Sequence, residues 1–224
     1  MLFRSADVRW VRAVREAAAD TAGAQVDVEE GDPSAGWKLP AGADVVVVLE
    51  PGVIPLPGAL ASAAAHAIAD PSGAVAAKVL RADGLLDAAG GTVFADRSTG
   101  AIGAGSLDVR GPWHEFVRPV CWPIGLLAVG RDTWEAVDRG SAAPGTRAWL
   151  REWGAAAWAA GRQVRYEPDV VVVRAVGDGR EPAAPPDGSA WQRVVDLRPP
   201  RPAILDDDSW QQLVANDDVA SIRG

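Results

Sequence analysis

The chain has 224 residues, 48% of them hydrophobic, which is enough for one domain with a substantial core, with or without a tail. A formal net charge of −8 argues against nucleic-acid binding, because a nucleic-acid surface needs a concentrated positive field. The single cysteine, Cys121, excludes a disulfide framework and is typical of a cytoplasmic protein. No apolar run approaches the roughly 20 residues of a membrane helix, and the charged N-terminus predicts no signal peptide.

The first part of the chain predicts a helix, a short strand and a buried strand. A helix over 7–22 places valines on one face, and a strand over 25–29 alternates apolar with polar residues. Residues 45–49 form an unbroken run of valine and leucine, whose length suits a strand better than a helix. A strand without polar alternation is usually covered on both faces, which is the pattern of a central strand in a parallel α/β sheet. The turn at 50–52 then lies at the carboxyl end of that strand, where open sheets usually bind ligands.

The rest of the chain predicts further strands and helices in alternation. Helices are expected over 57–69 and 147–160, and the other predicted elements are a strand at 75–80, a glycine-rich hairpin region at 85–102, an apolar run at 120–129, a short helix from residue 131 and a strand at 164–173. A linker of glycine, proline and acidic residues begins at about 177. The expected organisation is therefore one α/β domain over 1–176, followed by a linker and C-terminal extension over 177–224.

Four segments follow one another in an order that is found in a known family. DVVVVLEPGVIPLPGAL at 44–60 predicts a strand, a turn and a helix, and 73–91 predicts the next strand and a hairpin. The stretches at 122–131 and 159–173 correspond to an acceptor-side strand and a last strand. In pattern and order these segments resemble the family 2 glycosyltransferases of the GT-A fold.

The resemblance implies a fold, a reaction and a departure from the family. The fold it implies is a mostly parallel central sheet flanked by helices, similar to a truncated GT-A (nucleotide-diphospho-sugar transferase-like) domain. The reaction it implies is sugar transfer from a nucleotide sugar to an acceptor. In the family a nucleotide-binding strand opens the sheet, whereas this chain is expected to start at the helix over 7–22, without such a strand.

The metal site of the family is expected to be absent here. The resemblance implies Mg²⁺ or Mn²⁺ held by two acids at the strand end, to stabilise the departing diphosphate. Glu50 keeps the first acid, but the second position is Gly52, which has no side chain. Both residues also have a structural interpretation, Glu50 as a strand-end acid and Gly52 as a turn former. The metal-binding histidine of the family matches Arg174, which cannot bind a metal but can neutralise a diphosphate through its bidentate fork.

The same resemblance suggests the remaining site residues. The catalytic base of the family falls within 149–152, where only Glu152 carries a carboxylate, so Glu152 is the expected base. The structural alternative is a helix acid paired with a neighbouring arginine. Trp113, His114 and Gly125 complete the expected substrate-binding set on the acceptor side, although a loop tryptophan commonly covers core instead of stacking on a sugar. His66, in an alanine-rich helix, is interpreted as a surface or boundary residue.

Three functions stay open from the sequence. The first is an active transferase that binds a nucleotide sugar without a metal cofactor. The second is a catalytically silent glycosyltransferase-like domain that serves as a binding or partner subunit, because a missing first strand would leave a sheet edge for another chain in a homo- or hetero-oligomer. The third is an unrelated α/β domain whose pattern mimics the family. The ten tryptophans fit either a groove or interface or an ordinary core.

Overall fold

The computed structural model describes residues 2–3, 29–30, 42–93, 99–108, 114–137, 142–143 and 145–175, with the backbone alone at 2–3 and 29–30. The predicted helix over 7–22, most of the predicted strand over 25–29, Trp113 and the predicted extension over 177–224 lie outside these residues.

The described part of the chain contains eleven strands and three helices. The strands are β1 (Leu2–Phe3), β2 (Glu29–Glu30), β3 (Val45–Leu49), β4 (Val53–Pro55), β5 (Ala74–Arg81), β6 (Leu86–Ala88), β7 (Gly91–Val93), β8 (Thr99–Ala101), β9 (Arg118–Val120), β10 (Leu126–Gly130) and β11 (Val164–Arg174). The helices are α1 (Ala59–Ala69), α2 (Arg131–Ala136) and α3 (Arg147–Ala159). None of these three described helices is long and apolar enough to span a membrane.

Nine of the strands form one mixed sheet. Its spatial order is β2-β1-β3-β10-β5-β11-β4, with β6 paired to β5 and β9 paired to β11. β7 and β8 form a separate two-stranded hairpin. Among the described strand pairs only β1 with β2, β1 with β3, and β5 with β11 are parallel. The other described pairs are antiparallel, so the sheet is mostly antiparallel.

The predicted fold class is therefore wrong. The sheet is not the mostly parallel sheet flanked by helices of a truncated GT-A domain, because β10 runs antiparallel between the two central strands β3 and β5. An unbroken apolar run shows that a strand is covered on both faces, but it carries no information about the direction of the neighbouring strands.

The expected absence of a strand before the predicted first helix is also wrong. β1 lies parallel to β3, with Leu2 opposite Val48 and Phe3 opposite Leu49. β2 continues the sheet beyond β1, so the edge of β3 that was expected to be open is covered. A strand of two residues is too short to show a period-two pattern, which explains why the sequence did not reveal it.

The core lies on both faces of the sheet and follows the alternation of β3. Val47 and Leu49 pack in a cluster with Leu60, Ala63 and Ala67 of α1. The intervening residues of β3 pack on the other face, in a cluster with side chains of α2 and α3. Fully burying a valine or leucine side chain contributes about 1.5–3 kcal/mol, so this two-sided burial stabilises the centre of the sheet.

The described tryptophans are mainly core residues. Trp122, Trp134, Trp149 and Trp153 are all fully buried. The rings of Trp134 in α2 and Trp149 in α3 are 6.0 Å apart between centroids and tilted by 50°, an arrangement that favours aromatic contact. For these four residues the ordinary-core interpretation of the high tryptophan content is the one that the structure supports.

Candidate functional site

Four charged side chains meet where strands of the sheet end, and we call them the charge cluster: Glu50, Asp87, Arg147 and Arg174. Glu50 directly follows β3, and Arg174 is the last residue of β11. Asp87 is the central residue of β6, and Arg147 is the first residue of α3. The side chains are between 5% and 12% exposed, so solvent screens their charges little.

Arg174 binds both acids of the charge cluster. Its Nη1 donates to Oε1 of Glu50 at 3.2 Å and its Nη2 donates to Oε2 at 3.1 Å, which makes a bidentate pair. Its Nε donates to Oδ2 of Asp87 at 2.7 Å. Parallel charge-assisted hydrogen bonds of this kind are among the strongest polar contacts in proteins, and they fix the orientation of both partners.

Arg147 joins the same two acids from the side of α3. Its Nε is 3.3 Å from Oε1 of Glu50, and its Nη2 is 3.4 Å from Oδ2 of Asp87. Each arginine therefore bridges both carboxylates. Two positive and two negative charges balance within the cluster, which is the condition under which buried charges are tolerated.

Gly125 positions the carboxylate of Glu50. Its amide donates to Oε2 of Glu50 at 3.1 Å, and its carbonyl accepts from the amide of Glu50 at 2.9 Å. Gly125 has φ +76°, and a Cβ built there would lie 2.7 Å from Cγ2 of Val79. Both the backbone conformation and the space therefore require glycine. This predicted site residue acts on the charge cluster through its backbone.

The surrounding charges change the acidity of Arg174. Burial alone would lower its pKa, because burial disfavours the charged form. The charges of Glu50 and Asp87, together with their hydrogen bonds, outweigh burial and raise the pKa of Arg174 above its ordinary value. The guanidinium is therefore permanently charged and permanently matched by the two acids.

The residues of the charge cluster do not fit the divalent metal that the family resemblance implies. Both oxygens of Glu50 already accept from Arg174, and Gly52 offers no side chain as a second ligand. A metal bound to Glu50 and Asp87 would also lie beside the guanidinium groups of Arg147 and Arg174, and like charges in a buried site repel strongly.

Gly52 and Glu152 have structural contacts in the described part of the chain. Gly52 has φ +79°, and its carbonyl accepts from the amide of Ala175 at 2.8 Å, which fastens the turn after β3 to the end of β11. Glu152 is half-buried on α3, and its Oε2 accepts from the amide of Ala142 at 3.1 Å. Arg147, from the first turn of α3, contacts Glu50.

His114 lies in a second polar group with Tyr166, Asp108, Lys78 and Arg118. The hydroxyl of Tyr166 donates to the carbonyl of His114 at 2.9 Å, while Nζ of Lys78 is 2.9 Å from Oδ1 of Asp108. Burial and, next, the charge of Lys78 lower the pKa of the buried His114. Burial raises the pKa of Tyr166 and lowers the pKa of Arg118, which lies over the Tyr166 ring, to about 10.

Sequence reasoning identified Glu50, Gly125 and Arg174, which the structure brings together, but it missed Asp87 and Arg147. Two signals could have found them. Asp87 is a lone acid between two fully buried residues of β6. Arg147 occupies the first turn of a helix, where the macrodipole disfavours a cation. The charge of each residue is unfavourable at its own position, which indicates that an opposite charge lies nearby.

Comparison of the sequence with known protein families and with curated proteins gives no match to this chain.

Proposed function

We propose that this chain is a catalytically silent, glycosyltransferase-like domain that serves as a binding or partner subunit. The observation that carries the proposal is the bidentate Glu50–Arg174 ion pair, closed by Asp87 and Arg147. In an active transferase of the expected kind, Glu50 would face the donor site and Arg174 would neutralise the diphosphate. Here the two side chains satisfy each other instead.

The energetic cost of opening the ion pair supports this proposal. Leaving one partner of a buried ion pair without the other costs about 3–5 kcal/mol. Because about 1.4 kcal/mol corresponds to a tenfold change in affinity, a diphosphate that drew Arg174 away would lose about two to four powers of ten in binding. The closed cluster therefore disfavours binding of a charged donor and keeps the four side chains rigid.

The expected catalytic base has a structural contact that is compatible with this proposal. A general base must reach the hydroxyl that it deprotonates. The carboxylate of Glu152 accepts from the amide of Ala142 and so fastens the segment before α3. We assign Glu152 to this structural role.

β1 and β2 cover the edge of β3 that the sequence suggested for a partner, so among the described strands the sheet ends at β2 on that side. We propose a cytoplasmic location and a protein or glycan partner. The net charge of −8 supports a partner other than nucleic acid. The cytoplasmic location is supported by the single cysteine, Cys121, which is buried in the core.

The experiment that tests the proposal is an assay of nucleotide release from UDP-, GDP- and dTDP-sugars, with and without Mn²⁺, over a panel of simple acceptors. The proposal expects no release above the rate without protein. Release by the wild type that disappears in both Glu50→Gln and Arg174→Ala, but persists in the surface variant Asp83→Asn, would overturn the proposal and favour the active transferase.

A further inference from the structure

A cluster of metal-ligating side chains lies where α1 packs on β11, and we call it the α1–β11 cluster: His66, Glu167 and Asp169. Nε2 of His66 is 3.0 Å from each carboxylate oxygen of Asp169, and its Nδ1 is 3.8 Å from Oε1 of Glu167. One ligand atom from each of the three residues lies within 4.8 Å of the others. The chain thus brings an imidazole and two carboxylates together at residues that the charge cluster does not use.

An irregularity in β11 creates this arrangement. Between Glu167 and Val171 the register shifts, because β11 advances by four residues while its partner β5 advances from Ala77 to Lys78. Pro168 lies within this bulge and has no backbone N–H to donate. The extra residues bring Asp169 to α1, where the hydroxyl of Ser62, one turn before His66, donates to its carboxylate.

The balance of charge around the α1–β11 cluster is negative. Nε of Arg165 donates to Oε1 of Glu167 at 2.6 Å, and its Nη1 is 3.3 Å from Oδ2 of Asp70. Three carboxylates, those of Glu167, Asp169 and Asp70, thus face one guanidinium and an imidazole. With the imidazole neutral, the group carries two negative charges, which one divalent cation would balance.

Solvent access at the cluster also suits a metal ion. The side chain of Glu167 is 2% exposed whereas that of Asp169 is 53% exposed, so the cluster has a buried side and a side open to water.

We propose that the α1–β11 cluster binds one divalent transition-metal ion, Zn²⁺ by preference, through His66, Glu167 and Asp169. One imidazole nitrogen with two carboxylate oxygens is a donor set that suits zinc, whereas calcium and magnesium favour oxygen ligands throughout. Water on the exposed side of Asp169 can complete the coordination. The hydrogen bond from Ser62 orients the Asp169 ligand, as outer-shell partners of metal ligands commonly do.

The test is titration of the full-length chain, without a histidine tag, with Zn²⁺ and separately with Co²⁺, followed by calorimetry and by visible absorption of the cobalt form. We expect one equivalent to bind, with no binding of Ca²⁺ at the same concentrations. His66→Ala and Asp169→Asn should each weaken binding by about tenfold or more, whereas the matched surface variant Asp83→Asn should bind like the wild type. Circular dichroism confirms that each variant is folded.

A measurement on the wild type keeps the proposal testable even if a variant does not fold. The chain has two histidines, His66 and His114, so the imidazole signals in a magnetic resonance spectrum are simple to assign. Zn²⁺ should shift the His66 ring signals at one equivalent and leave those of the buried His114 unchanged. The proposal is overturned if Zn²⁺ shifts neither ring, or if His66→Ala and Asp169→Asn bind as tightly as the wild type.

Discussion

At the scale of single residues, the charge cluster depends on the planar guanidinium of Arg174, which donates to Glu50 through two nitrogens and to Asp87 through the third. A lysine at this position would keep the charge but could not reproduce the fork, since an ammonium is a point charge on a flexible chain. Arg81 offers a comparison, because its ion pair with Asp83 is about half exposed on each side.

Arg174→Ala should lower the free energy of unfolding by about 3–5 kcal/mol, because it leaves two buried carboxylates without their main partner. The free energy of unfolding of Arg174→Lys should lie between those of Arg174→Ala and the wild type. The matched surface variant Arg81→Ala should cost at most about 1 kcal/mol, as exposed pairs do. Urea unfolding measures all three, and a loss in Arg174→Ala as small as that in Arg81→Ala would contradict a closed, stabilising cluster.

His114 makes the stability of the fold depend on pH. Its pKa in the folded chain is lowered below the ordinary 6.5, so the unfolded chain binds more protons between these two values. The free energy of unfolding should therefore fall as the pH is lowered through 6.5. In His114→Asn, which does not titrate, this part of the slope should be absent. Unfolding of both proteins between pH 8 and pH 5 checks the prediction, and equal slopes would rule out a buried, neutral His114.

At the scale of elements, the strands and helices themselves were largely predictable. The expected helices over 57–69 and 147–160 correspond to α1 and α3, and the run at 45–49 is β3. Periodicity and capping residues act within a few positions, so they can be read from the sequence. The direction of β10 could not be read in this way, because it depends on which strands lie beside it.

The turn before β10 links the sheet to the charge cluster through Gly125. Gly125→Ala forces a positive φ on alanine, at about 1–2 kcal/mol, and also presses a methyl group against Val79, at about 1–3 kcal/mol more. Gly84→Ala is a matched control, since Gly84 has φ +85° but no atom within 4 Å of a built Cβ. Thermal unfolding should show a clearly larger loss for Gly125→Ala, and equal losses would mean that the turn is not tightly packed.

At the scale of the whole molecule, the sequence predicted a sheet with a core on both faces. It did not predict which side chains from distant parts of the chain contact one another. Glu50 and Arg174 were singled out, yet their mutual pairing over 124 positions of sequence was not foreseen. Asp87 and Arg147 were missed for the same reason. His66 is a surface or boundary residue as interpreted, with 31% of its side chain exposed, but its pairing with Asp169 was not foreseen. Local patterns identify elements, whereas contacts between elements come from tertiary packing.

If the charge cluster is closed, Arg174 is not available to a diphosphate, and calorimetric titration with UDP-, GDP- and dTDP-sugars, with and without Mn²⁺, measures whether it is. Asp169→Asn serves as a second sample, so that metal bound at the α1–β11 cluster is recognised separately. The closed cluster predicts no binding of these donors by the wild type, with or without Mn²⁺. Mn²⁺-dependent binding of any of them that is preserved in Asp169→Asn and lost in Glu50→Gln would mean that the charge cluster is an open donor site.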